Sequence, residues 1–153
     1  MSFREAVEGD IPVLIALLVD DDLGILREDR PDASGEYYHS AFAHIRSDPN
    51  NELIVAELQG QIIGMLQLTF IPYLTHRGSW RCLIEGVRVA REFRGKGHGH
   101  ELFSWAIERA RERKCKIVQL TSDKQRTDAR RFYESLGFQA THEGFKLRLA
   151  RSE

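Results

Sequence analysis

Two periodicities run along this chain, one of helices and one of strands. Residues 3–7 read as a short strand, and Gly9-Asp10-Ile11-Pro12 then places Asp10 to cap a helix with its proline in the first turn, reaching about Val19. After an acidic stretch at 20–36, Tyr37, Ala41, Phe42 and Ile45 recur at helical spacing. The β-rich segments 53–56 and 62–68 flank Gln59-Gly60-Gln61 and predict a hairpin. Residues 82–90 alternate, with Leu83, Glu85, Val87 and Val89 on one face and Ile84, Gly86, Arg88 and Ala90 on the other. Beyond the glycines at 95–99, Leu102, Phe103, Ala106, Ile107 and Ala110 form the stripe of an amphipathic helix that packs on the sheet. A strand over 116–121, a helix over 128–136 stopped by Gly137, and a pair of strands over 138–149 turning near Gly144 complete the pattern. With no linker or repeat between these elements, the expectation is one mixed α/β domain spanning 1–153.

Composition agrees with a globular domain: 153 residues, 42% hydrophobic, 29% charged. Lys and Arg number 22 against 23 Asp and Glu, a formal charge of −1. Such a balance provides no global basic field for nucleic acid or an anionic membrane, so an anionic ligand needs a local set of donors. Cys82 and Cys115 are the two cysteines, without zinc-type spacing, and His98, His100 and Glu101 do not converge as metal ligands, so no metal is expected. The N-terminal residues lack an apolar leader core and no apolar run approaches a membrane span, so a reducing cytoplasm is the expected address.

Such a local donor set stands at Arg94-Gly95-Lys96-Gly97-His98-Gly99. Three alternating glycines between a strand and a helix let backbone N–H groups approach an oxyanion, the helix N-terminus adds partial positive charge, and Arg94 and Lys96 add more. A pyrophosphate suits that arrangement, although an ordinary glycine-rich turn has the same composition, and no GK[ST] follows to make it a Walker loop. Thirty residues on stands Ala129-Arg130-Arg131-Phe132-Tyr133-Glu134-Ser135-Leu136-Gly137-Phe138.

Together, the strand at 84–89, the glycine turn with its helix, and this second helix motif resemble the core of the GCN5-related N-acetyltransferase (GNAT) superfamily, over residues 81–149. The resemblance implies a central mixed, mostly antiparallel sheet of about six to seven strands, splayed between strands 4 and 5 and flanked by about four helices. It implies acetyl-CoA as cosubstrate in the split, the pantetheine arm along Val87, Arg88 and Val89, and the pyrophosphate on Arg94, Gly95, Lys96, Gly97, His98 and Gly99. One departure is Arg126, where many members carry Asn three residues before the alanine of the helix motif; Arg126 either reaches a phosphate or is a solvated surface residue.

Acetyl transfer to an amine requires the acceptor to lose a proton and the departing thiolate to be stabilised or protonated. The resemblance puts Tyr133 near the sulfur as the acid, and a phenol stays protonated at neutral pH; Tyr133 also lies on the apolar stripe of Ala129, Phe132 and Leu136, which suits a core residue equally. Glu85, an acid within an apolar strand, is the candidate base or acceptor-orienting group, with pairing to Arg81 or Arg88 as the alternative. Two segments are expected to wall the acceptor: 20–38, whose seven acids favour a cationic amine or simply form a solvated loop, and 70–80, whose aromatic and apolar residues suit a small ligand or a homodimer partner. The expected activity is acetyl-CoA-dependent N-acetylation of a primary amine of a small molecule or peptide, by direct transfer in a ternary complex. The alternative is a non-catalytic acyl-CoA-binding sensor or interaction domain of the same fold.

Overall fold

The computed structural model describes residues 1–20 and 35–149. These form two compact units, 1–120 and 121 onward. The first is built on one five-stranded sheet of order β1-β2-β3-β4-β5. Its strands are β1 (Ser2–Glu5), β2 (Asn51–Leu58), β3 (Gln61–Pro72), β4 (Trp80–Val89) and β5 (Cys115–Gln119). Neighbours pair antiparallel except β4 and β5, which are parallel. The expected hairpin is present: Gln59 and Gly60 both take positive φ, 51° and 80°, which matches the right-handed twist of the strands they join.

Helices cover both faces. On one, α1 (Ile11–Val19) and α2 (Glu36–Ser47) bury Ile11, Leu14, Ile15, Leu17 and Phe42 together with Val55, Met65 and Ala90. On the other, α4 (His98–Glu112) buries Leu102, Phe103, Ala106 and Ala110, as its amphipathic stripe predicts. Between β3 and β4 lies α3 (Thr75–Gly78), a single turn in which His76 and Arg77 are left-handed. Asp10, expected to cap α1, turns backward: its carboxylate accepts the Val7 N–H at 2.8 Å and two bonds from Arg4 at 2.7 and 3.2 Å.

The second unit contains α5 (Thr127–Ser135), closed by Gly137 at φ 93°. The Phe138 N–H bonds the Tyr133 carbonyl and the Gly137 N–H bonds that of Glu134, at 3.1 and 3.0 Å, a Schellman stop. The strands expected over 138–149 are not formed among the described residues, so the sheet has five strands, not six to seven. Phe145, Leu147 and Leu149 do alternate, but all three side chains are exposed and the segment forms no ladder, without which alternation does not make a strand.

Candidate active site

β4 outruns its partner. It pairs with β5 only from Trp80 to Leu83, so residues 84–89 have an open edge on that side, the geometry expected of a sheet splayed between strands 4 and 5. Its pairing with β3 is interrupted as well: Gln67 faces Glu85 and Met65 faces Arg88, which leaves one residue too many on β4. Gly86 absorbs it in a bulge at φ 61°, a backbone that glycine adopts without strain. An extra residue switches every later side chain to the opposite face. Glu85 therefore shares its face with Arg88, Gln67 and Met65, whereas Val87 and Val89 join Cys82 and Ile84, which corrects the simple alternation expected of this strand.

The same register aims the backbone. The Ala90 N–H donates to the Ile63 carbonyl at 2.8 Å. Because successive strand residues direct their amides to opposite edges, Val89, and Val87 two residues before it, turn theirs to the open edge. Two arginines reach carbonyls there: Arg88 Nη1 donates to the Val87 oxygen and Arg94 Nε to the Val89 oxygen, both at 2.8 Å.

From this edge the chain passes through a short turn of 3-10 helix, Arg91–Phe93, into the glycine turn. Gly95 and Gly97 have φ of 72° and 87°, and a Cβ on either would meet nothing within 4 Å, so glycine is required here for conformation in open surroundings. The first bond of α4 runs from the Glu101 N–H to the Gly97 carbonyl at 3.1 Å. Ahead of it, the amides of His98, Gly99 and His100 belong to no helical ladder and point out of the N-terminus, a ready oxyanion site. Among the described residues His98 Nδ1 has no hydrogen-bond partner and is shielded from solvent, and Lys96 Nζ stands 5.8 Å above the Phe93 ring.

Arg94 was expected to contribute charge to this anion site, but its Nη2 is turned to the Asp20 carbonyl oxygen at 2.7 Å. Asp20 in turn accepts the Arg91 N–H and Nε at 3.0 and 3.1 Å. Burial opposes its ionisation, but these bonds and the nearby Arg94 hold its carboxyl below the usual value. Asp20 thus brackets the glycine turn to the end of α1, a role with no motif to announce it. Of the other acids expected around the acceptor, those at positions 21, 22, 28, 29 and 32 lie outside the described residues.

Glu85 is exposed, although its strand is otherwise largely apolar. Gln67 opposite donates from Nε2 to Asn51 Oδ1 at 3.1 Å, and Thr69 Oγ1 donates to the same oxygen at 2.8 Å. The first unit thus brings together Glu85, the open β4 edge and the glycine turn. Tyr133 belongs to the second unit, half-buried, its ring 5.6 Å from Phe132 and 6.2 Å from Phe138 in edge contacts. Arg126 occupies the N-cap position of α5. Among the described residues no helix is long and apolar enough to cross a membrane, and no three His, Cys, Asp or Glu side chains group as metal ligands.

Residues 20–138 match the Acetyltransferase (GNAT) family. The aminoalkylphosphonate N-acetyltransferase of Salmonella typhimurium is 31% identical over 105 residues, 69% of this chain and 68% of that protein. A solved structure described as a transcriptional regulator from Bacillus halodurans superposes with a TM-score of 0.93 at 54% identity, over 97% of this chain and 99% of that one. A protein from Clostridium acetobutylicum described as a predicted acetyltransferase, solved with acetyl-CoA, shares the fold at a TM-score of 0.74 and 23% identity, over 97% and 96% of the two chains. The open-edged β4, the glycine turn leading into α4 and the family match over 20–138 agree: this chain belongs to the GNAT family of acetyltransferases.

Proposed function

We propose that this chain is one domain, 1–153, that transfers the acetyl group of acetyl-CoA to a primary amine of a small molecule or peptide by direct transfer. The observation that carries the reading is the continuity of outward-facing backbone at Val87 and Val89 with the left-handed glycines and the free N-terminal amides of α4. An extended amide-containing arm suits the first and a pyrophosphate the second, which is the order of groups in coenzyme A. Lys96 and His98 add donors beside the α4 amides. Bound there, acetyl-CoA supplies an acetyl group activated as a thioester, whose C–S bond breaks as the amine nitrogen forms the new N–C bond.

Glu85 takes the proton of the attacking nitrogen, directly or through one water; its place on the strand that ends at the cofactor edge supports this role. Tyr133 donates its phenolic proton to the departing sulfur, a role supported by the whole helix motif around it. Direct transfer gains support from the cysteines. Burial pushes the Cys82 thiol up to about 12 and raises that of Cys115, so neither provides the thiolate that an acetyl-enzyme would need. An N-acetyltransferase among the relatives, named for an amine-bearing acceptor, supports the amine.

The test is release of free CoA from acetyl-CoA in the presence of a panel of primary amines, with the acetylated product identified by mass. Turnover with at least one amine is expected. A second reading, an acyl-CoA sensor without turnover, rests on the Bacillus relative being described as a transcriptional regulator; it predicts tight acetyl-CoA binding with no amine accelerating CoA release.

A further inference from the structure

The sheet face that carries Glu85 changes character along its length. Where Val55 and Met65 lie it is covered by α1 and α2, while Gln67, Thr69, Leu83 and Arg81 are only half-buried. Arg81 and Glu85 are four residues apart on β4, on one face and separated by about 13 Å at the backbone, which two long side chains reduce to the length of a short alkyl chain.

Arg81 is held in an unusual way for a half-buried cation. Its guanidinium stacks over the Tyr73 ring at 4.1 Å, and Nη1 donates to the neutral Gln119 amide oxygen at 3.3 Å. Among the described residues no carboxylate comes within ion-pair distance, and Nε is buried without a hydrogen-bond partner. A guanidinium removed from water without an anion carries an uncompensated cost. Its remaining edge pairs this buried Nε with Nη2, so an anion meets Nη2 first and, by displacing what packs over Nε, takes both in the fork that matches the two oxygens of a carboxylate or phosphonate.

We infer that Arg81 is an anion-recognition residue of the acceptor pocket, and that the acceptor is zwitterionic: its ammonium meets Glu85 and a carboxylate or phosphonate at its other end meets Arg81. The inference rests on the amine-acetylation reading for which end of the ligand reacts. Exposed Arg77, on the turn between β3 and β4, has no part in it.

The test is calorimetric titration of the CoA-loaded protein with 6-aminohexanoate, 3-aminopropylphosphonate and hexylamine. At least one anion-bearing amine is expected to bind tenfold to a hundredfold more tightly than hexylamine, the range of a charge-assisted bidentate contact. Which one wins separates carboxylate from phosphonate recognition. Arg81→Gln is expected to bring the ratio to about one, Arg81→Lys, which keeps the charge but loses the fork, to an intermediate value, and Arg77→Gln to leave it unaltered. Should Arg81→Gln fail to fold, the lysine variant alone decides. Equal binding of all three probes by the parent protein overturns the inference, as does a ratio that survives in Arg81→Gln or, when only that variant folds, in Arg81→Lys. Selective binding through Arg81 without acetylation of any amine would sink the enzymatic reading and leave this inference standing; acetylation without anion preference would do the reverse.

Discussion

At the scale of single residues, the Tyr133 ring is braced by Phe132 and Phe138, and its backbone carbonyl is tied down by the Schellman stop at Gly137. Tyr133→Phe removes one oxygen and keeps that packing. Turnover should fall roughly 10- to 1000-fold while the thermal midpoint and its shift with acetyl-CoA persist; wild-type turnover would return Tyr133 to the core. Glu85→Gln keeps the shape of the side chain and removes a proton acceptor. The expected result is a lower kcat/KM at neutral pH and a pH profile whose remaining limb follows the acceptor amine, checked with amines of different basicity. An unaltered profile would make Glu85 structural. Both residues stand out in the sequence as candidates for proton transfer. That Arg88, and not Val87 and Val89, shares the face of Glu85 was not legible there, because one glycine decides it.

At the scale of elements, three glycines with positive φ set the geometry: Gly86 in the β4 bulge, Gly97 at the start of α4 and Gly137 after α5. Gly137 was legible as a stop, since a glycine after an apolar helical stripe has that one common use. Gly97 was legible as part of a motif. Gly86 fits the alternation of its strand as an ordinary position, although a glycine inside a strand is itself a signal of a bulge. Gly86→Val forces a branched side chain into left-handed backbone. It should lower stability by about 1–3 kcal/mol, measured by urea unfolding, and weaken acetyl-CoA binding by re-aiming Val87 and Val89. Stability equal to the parent would mean that the bulge costs nothing to move. The strand pair expected over 138–149 does not form among the described residues because the alternation there specifies a face and leaves the partner unspecified.

At the scale of the whole molecule, charge inside the first unit holds layers together. Glu52 on β2, only 6% exposed, accepts two bonds from Arg109 of α4 at 3.0 and 2.7 Å and one from Arg113 at 3.1 Å. Glu52→Ala removes the anion that two half-buried guanidinium groups share, leaving Arg109 with Glu112 at 2.9 Å and Arg113 with Asn50 Oδ1 at 3.2 Å, and should cost about 1–3 kcal/mol, a fall of roughly 2–12 °C in Tm by scanning calorimetry. Asp10 gives a pH signature. The Arg4 hydrogen bonds hold its carboxyl below the ordinary value despite burial, so the unfolded chain takes up the proton first as pH falls. The stabilisation is complete above about pH 4 and is lost as the pH drops toward the folded-state value. The stability gap between the parent and Asp10→Asn should therefore be wide at pH 7 and narrow at pH 3. Neither network was legible, since each joins residues distant in sequence with no spacing to mark them. The order of elements was legible nearly throughout, because it follows local periodicity and turn chemistry. The most direct measurement of the central claim is titration of acetyl-CoA into the parent protein and Gly97→Val by calorimetry. The account predicts one site per chain in the parent and at least a hundredfold loss in a variant that still unfolds cooperatively; equal affinity in both, or no binding by the parent, would contradict it.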